Sequence, residues 1–401
     1  MTQATSTLLD EAREILPDVI EMRRRLHRIP EIGLELPKTQ AVVVEELRRL
    51  GLEPKTGELL SSVTAVIEGE RPGPAILLRA DMDALPVAED TGLDFASEHP
   101  DVMHACGHDT HVAMLLGAVR LLLARRADLA GRVVLMFQPG EEGQAGANFM
   151  LEEGLLDEGG GGIERAFAIH TSTRYASGRV ELRSGPMLAA ADMFWITVIG
   201  RGGHASTPHL ALDPIPAAAE IVTAIQTMVT RRVDAFDPAI VTVAYLQAGT
   251  TTNIIPETAV VAGTIRTVSE ETRSTVHASL TGVAEGIAAA HGASVDVGIQ
   301  PGYPVTRNNA DFTTFVREIA VDLVGQDAVG EPAVPVMGAE DFSYVLQKVP
   351  GTFAFIGARP AGEDPVTAPQ NHSNRVVFDE PPMAVGAALH AAVALGYLGR
   401  R

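Results

Sequence analysis

Nine residues, "MHACGHDTH" at positions 103 to 111, gather the only cysteine of the chain, Cys106, with three of its twelve histidines, His104, His108 and His111. Cys106 and His108 flank Gly107, which lets the backbone turn sharply. In an extended or looped segment that spacing aims both side chains at one point. Thiolate, imidazole and carboxylate together suit Zn²⁺ and other borderline transition metals. A helix starting just afterwards would add a field that stabilises the thiolate. Downstream, Glu142 in "QPGEEG", His170 in "AIHTST" and the late His372 in "NHS" could complete such a site. Five donors exceed the needs of one tetrahedral ion and hint at two ions sharing a ligand. Adjacent side chains do not easily both face one ion. Of Glu141 and Glu142, one therefore suits metal binding and the other proton transfer, from a water and then to a leaving amine.

Each residue alone has a plainer explanation. A lone cysteine is usually a small buried apolar group. Histidines 104, 108 and 111 have helical spacing and could form a polar helix face, "QPGEEG" could be an acidic turn, and His170 could cap a strand. Their common placement favours the chemical reading. Three apolar runs predict strands around Ala75–Leu78, Val133–Phe137 and Ala166–Ile169, and each stops at polar residues: Asp81 and Asp83, then Gln138, Glu141 and Glu142, then His170. Between the first two, "DTHVAMLLGAVRLLLARR" has the spacing of an amphipathic helix with Asp109 as a candidate N-cap. Alternating strands and helices predict an α/β fold, a mostly parallel sheet covered by helices on both faces. Ligands of such sheets bind beyond the carboxyl ends of the strands.

The stretch 190–305 reads differently: strand, helix, two strands, helix, strand, the β-α-β-β-α-β order of a ferredoxin-like unit. It predicts a small α+β domain inserted in a larger one. The chain then returns through "MGAEDFSYVLQKV" as a helix, "GTFAFIGA" as a strand and "NHSNRVVF". "DEGGGGIER", residues 157 to 165, reads as a surface turn.

A chain of 401 residues more naturally makes two domains than one core. Its formal charge of −20 argues against nucleic acid as a partner and against anionic membrane surfaces, and its simplest meaning is solubility. No apolar run reaches transmembrane length, the first residues lack the pattern of a signal peptide, and a single cysteine suits a reducing compartment. The expectation is a cytoplasmic protein.

The stretches "RRRLHRIPEIGLEL", "LLRADMDALPVAE", "MHACGHDTHVAMLLGA", "FQPGEEG", "AIHTST", "GHASTPHLALDPI", "TTNIIPE", "MGAEDFSYV" and "NHS" follow one another along nearly the whole chain. With them the sequence resembles the M20 metallopeptidase family. Within it, the likeness is to the amidohydrolase branch of hippurate hydrolases, N-acyl-amino-acid deacylases and indole-acetyl-amino-acid hydrolases. The resemblance implies a catalytic domain of residues 1–188 and 306–401 with an inserted lid and dimerisation domain of residues 189–305. It implies two divalent ions, Mn²⁺ or Zn²⁺ first, Co²⁺ or Ni²⁺ also accepted, held by Cys106, His108, Glu142, His170 and His372, with Glu141 as general base. Asp81 falls where the wider family has a ligand histidine and is not assigned that role; Asp83 fits the carboxylate that orients a ligand. His204 resembles a histidine that a neighbouring subunit contributes to polarise the scissile carbonyl. Asn253 and Arg266 are candidates for the substrate carboxylate, a task that suits a guanidinium. Gly338 is expected to shape a pocket-lining turn, Glu340 and Asp341 to cap a helix, His104 to be hydrogen-bonded near the site, His111 to lie on the helix, and His27 and Trp195 to be structural.

The function expected is metal-dependent hydrolysis of N-acyl amino acids by a homodimer joined through the lid. The alternative is a dipeptidase or carboxypeptidase with the same centre; a dipeptidase needs a group for the free α-amine, and no acidic residue stands out for it. A Cys106 nucleophile with His108 as base would leave Glu142, His170 and His372 idle. A non-catalytic binder would have no use for Glu141 beside a full donor set.

Overall fold

A computed structural model of the chain describes residues 2–399. The chain divides into two compact units, one of residues 1–187, 307–333 and 341–401, the other of residues 188–306 and 334–340. Residues 334–340, Gly338 among them, thus group with the inserted unit and not with the larger one.

The larger unit is built on an eight-stranded sheet whose middle strands, Ala130–Gln138, Arg71–Asp81, Ile163–Ala176 and Gly351–Arg359, run parallel. They are buried on both faces, as the continuous apolar runs require. Register sets the level of the strand ends. Asp81 pairs with Gln138, and Arg79 with Ala168, so the same register carried two residues on brings Asp81 level with His170. The expected helix forms at His108–Leu123, buried on nearly every side against the helices Leu16–Arg28 and Met383–Leu398. Small residues allow that approach: a Cβ on Gly386 would lie 2.0 Å from the sulfur of Met114.

Asp109 does not cap this helix. Gly107 occupies the N-cap in a left-handed conformation, and the Asp109 carboxylate turns inward to accept from Arg23 Nε at 2.8 Å and bond His27 Nδ1 at 2.8 Å. A buried carboxylate needs a cation more than a helix end needs a cap. "MGAEDFSYVLQKV" yields one helical turn, Ser343–Leu346, and of the surface turn expected at 157–165 residues 157–160 fall in a 3₁₀ stretch, Leu155–Gly160, and 163–165 begin a strand, leaving only Gly161 and Gly162 between them.

The smaller unit is a four-stranded antiparallel sheet in the spatial order Ala239–Ala248, Thr258–Thr267, Ala190–Ile199, Ser294–Pro301, with the helices Pro214–Arg232 and Glu270–Ala290 packed on its core face. Asp213 and Ser269 cap these helices through Ile215 N and Thr272 N, both at 3.0 Å. Phe194, Ile196 and Val198 point into the core while Met193, Trp195 and Ile199 point out, the period-2 alternation expected of a strand with one covered face. Trp195 is 41% exposed, covering the backbone at Gly298 on the neighbouring strand instead of filling the core.

Candidate metal centre

The donors converge at the carboxyl ends of the middle strands. Cys106 Sγ lies 3.4 Å from His170 Nε2 and 3.2 Å from His372 Nε2, and His372 Nε2 lies 3.2 Å from Glu142 Oε1. His108 Nε2 stands 4.0 Å from carboxylate oxygens of both Glu141 and Glu142. Three sets, Cys106–His108–His170, Cys106–Glu142–His372 and His108–Glu141–Glu142, each keep their donor atoms within 4.8 Å of one another. Donors around a tetrahedral ion with bonds of about 2.1 Å are separated by roughly 3.4 Å.

Local structure explains each position. Gly107 has φ +91°, a region unfavourable to other residues, and a Cβ there would lie 3.2 Å from the ring of Phe378. Cys106 and His108 are delivered from either side of that turn. His108 Nδ1 donates to the carbonyl of Asp83 at 2.8 Å, and His170 Nδ1 to the carbonyl of Thr171 at 2.8 Å, which leaves each Nε2 lone pair for the cluster. The Asp83 carboxylate accepts the backbone N–H groups of Glu141 at 3.0 Å and Glu142 at 2.9 Å, fixing the paired-glutamate turn. His372, with φ +73°, is one of two non-glycine residues of positive φ among those described; its N–H donates to the carbonyl of Ala105 at 2.8 Å. Such strain persists only where neighbours over-determine it. Asn371 does so: its Nδ2 donates to the carbonyls of Cys106 at 3.0 Å and Thr171 at 2.9 Å, tying the loop to both ligand-bearing segments.

The residues fit metal ions on two grounds. His108 Nε2 is buried and makes no hydrogen bond of normal geometry, a costly state for a polar atom unless something binds there. The protons also sit where ions would displace them. Burial and the Glu142 carboxylate push the Cys106 thiol up. His372 is pushed up to about 10 by its hydrogen bonds to Cys106 and Glu142. Burial disfavours a charged His108, but Asp81 and Cys106 outweigh it and hold the ring well above its ordinary value. Burial would raise Glu142 as well, yet the bond from His372 and the charge of His108 draw it down. Cys106 Sγ faces His170 and His372 as well as His108, an arrangement that suits a metal thiolate and gives a Cys106–His108 nucleophile pair no use for the other two rings.

Several neighbours escaped sequence reasoning. His111 lies on the helix as expected, but its partners were not foreseen: buried, it bonds Asp81 through Nδ1 at 2.5 Å and accepts the N–H of Thr171 through Nε2 at 2.7 Å. Asp341 is not the cap of the helical turn Ser343–Leu346 that follows it; it accepts from Gln138 Nε2 at 2.7 Å and from Ala147 N, in the first turn of the helix Gly146–Glu152, at 2.9 Å. His104 is buried with both ring nitrogens lacking a hydrogen-bond partner, contrary to expectation, and burial pulls its pKa down to about 3. Arg79, wholly buried among these groups, had a signal: a cation inside an apolar strand must find partners. Asn371 had none beyond its place beside His372.

In the smaller unit, His204 lies on a short ribbon, Gly203–His204 paired with Ile254–Ile255, and is exposed. Asn253 precedes the partner strand and its carbonyl accepts the N–H of Ala205 at 3.0 Å, so the ribbon brings these two residues together. Ser206 N–H donates to His204 Nδ1 at 3.1 Å, which puts the proton of the neutral ring on Nε2. Arg266 is half-buried on the strand Thr258–Thr267, opposite Ala191 and Ile240. Gly338 is exposed and its carbonyl accepts from Ala189 N at 3.0 Å; a Cβ there would meet only ordinary contacts, so nothing around it demands glycine.

The model of peptidase family M20/M25/M40 matches residues 77–395. The chain belongs to this family. It is accordingly a hydrolase of amide bonds. It is 41% identical over 394 residues to thermostable carboxypeptidase 1 of Saccharolobus solfataricus, covering 97% of this chain and 98% of that one. It is 42% identical over 339 residues to N-acetyl-L-cysteine deacetylase of Bacillus subtilis, covering 84% and 80%. Among solved structures, a dinuclear metal-binding M20 peptidase of Bacillus subtilis superposes with a TM-score of 0.84 at 34% identity, covering 96% and 99%. None of the helices among the described residues is long and apolar enough to cross a membrane.

Proposed function

We propose that this member of the family is an amidohydrolase that cleaves N-acyl amino acids into a carboxylic acid and a free amino acid. The observation that supports it most is the convergence of Cys106, His108, Glu142, His170 and His372 with Glu141 beside them. Those five would hold two divalent ions, Mn²⁺ or Zn²⁺ by preference, which supply Lewis acidity to the scissile carbonyl and to water. Glu141, anchored by Asp83, takes a proton from the attacking water and returns it to the departing amine nitrogen. His204, from a neighbouring subunit of a homodimer joined through the lid, offers its Nε2 proton to the carbonyl oxygen. Asn253 and Arg266 hold the substrate carboxylate, with Gly338 lining the pocket. The protein works in the cytoplasm.

A second reading, peptide cleavage from a free carboxyl terminus, is favoured by the relative named as a carboxypeptidase. One assay separates them: amino-acid release from N-acetyl, N-benzoyl and indole-acetyl amino acids beside unblocked dipeptides and N-blocked peptides, on chelated protein with and without Mn²⁺ or Zn²⁺. Metal-dependent release from the acyl amino acids is expected. Release from peptides alone would replace the deacylase with the peptidase. Mixing inactive His204→Ala and Glu141→Ala homodimers should restore partial activity through one intact site; no recovery after demonstrated subunit exchange would remove His204 from its role.

A further inference from the structure

Arg79 lies in the middle of the sheet with no exposure to solvent. Its guanidinium donates through Nε to Gln138 Oε1 at 2.8 Å, through Nη1 to Asp81 Oδ2 at 2.7 Å and through Nη2 to Asp341 Oδ1 at 3.2 Å. None of these residues belongs to the proposed donor set, yet each partner leads to it. Asp341 also grips Gln138 and Ala147, the two residues that bracket the Glu141–Glu142 turn. Asp81 bonds His111 through its other oxygen, and His111 accepts the N–H of Thr171, next to His170. One buried cation therefore joins the turn carrying the glutamates to the strand segment carrying His170.

Asp81 is also a rival donor. Its Oδ2 lies 3.6 Å from His108 Nε2, and Asp81, His108 and His111 hold their donor atoms within 4.8 Å of one another. That same Oδ2 is the atom Arg79 binds, while Oδ1 is engaged by His111. Moving Asp81 Oδ2 onto an ion would break its bond to Arg79 within a wholly buried ion pair, and breaking such a pair is strongly unfavourable.

We propose that Arg79 and Asp81 are positioning residues of the metal centre: Arg79 keeps Asp81 out of ion coordination and, through Asp341 and His111, fixes the Glu141–Glu142 turn relative to the strand segment that carries His170. This rests on the metal-centre reading given above.

Cobalt provides the test. Metal-free wild type, Asp81→Asn and Arg79→Lys are titrated with Co²⁺, reading stoichiometry, affinity and the thiolate-to-cobalt absorption of Cys106. Wild type should take up two ions. Asp81→Asn should keep both ions and the thiolate band but bind about 10- to 100-fold more weakly, the usual effect of losing a residue that orients ligands. Arg79→Lys, a point cation that cannot span three acceptors, should also weaken binding. Loss of one ion in Asp81→Asn would make Asp81 a ligand and overturn the proposal. So would a lowered melting temperature with unchanged cobalt affinity, the mark of a merely structural role. Should a single variant fail to fold, Arg79→Met combined with Asp81→Asn removes both charges together; it too must bind cobalt more weakly, and wild-type affinity there would overturn the proposal. Wild type that binds no cobalt would overturn the metal centre as well, whereas wild type and variants that bind equally would overturn only the positioning role.

Discussion

Asp83→Asn exchanges one carboxylate oxygen for an NH₂ group and should disable the turn that carries Glu141. In the native structure the two carboxylate oxygens of Asp83 accept the N–H groups of Glu141 at 3.0 Å and Glu142 at 2.9 Å, and the side chain is buried. An asparagine keeps one acceptor and points an N–H₂ at the other backbone N–H, so two donors face each other. Losing one charge-assisted bond and leaving a buried donor unsatisfied costs about 3 kcal/mol. For a chain of this length that corresponds to a melting temperature lower by about 4 °C. The turn must shift to relieve the contact, and a displacement of about 1 Å at a catalytic group costs on the order of 100-fold in rate. Because the substrate's own contacts are untouched, the loss should fall on kcat, with KM within about threefold of wild type. The assay is hydrolysis of an N-acetyl amino acid under saturating metal, paired with thermal melts. An Asp83→Asn enzyme with wild-type kcat and an unshifted melt would refute the assignment of Asp83 as the anchor of Glu141.

Gly107→Ala should cost more stability than Gly92→Ala: both positions have positive φ, each worth about 1–2 kcal/mol, but only the first Cβ meets a neighbour, the Phe378 ring at 3.2 Å. Equal melting shifts would show that Phe378 yields freely. His104→Leu should be neutral or stabilising by about 1 kcal/mol, since an apolar group of similar size replaces a ring whose two buried nitrogens have no partners; a large loss of stability would mean that the ring is satisfied. Stability should also follow two titrations around Asp109. Burial would raise Glu89, but its bonds from His27, Thr91 and Ser97 hold it at about 2, so its contribution is complete above pH 4.5 and is lost as the pH falls towards 2. Burial would lower His27, but Asp109 and Glu89 raise it, so its contribution is complete below pH 6.5 and is lost as the pH rises through the raised value. Thermal melts of wild type and His27→Gln from pH 2 to 9 check both limbs; a variant that keeps the alkaline decline would remove His27 as its source.

Much of this protein is legible in the sequence because much of it is locally determined. Short apolar runs bounded by polar residues read as strands buried on both faces, and the change at Asp81 and Gln138 marks where two of those strands end, whereas the strand expected to stop at His170 runs on to Ala176 with Thr171, Ser172 and Thr173 still buried. Gly107 between Cys106 and His108 announces a turn that no other residue makes cheaply, and the β-α-β-β-α-β order of the inserted unit follows from periodicity alone. What the sequence could not reveal is how charges are shared among residues distant along the chain. Asp109 has the spacing of an N-cap, but Arg23 and His27, more than eighty residues earlier, claim its carboxylate. Asp341 sits before a helical turn like a cap, but Gln138, Arg79 and Ala147 take both its oxygens. In each case a buried carboxylate has two possible uses, one local and weak, the other distant and strong. Only the folded chain brings the distant cation near, and in a low-dielectric interior that cation decides.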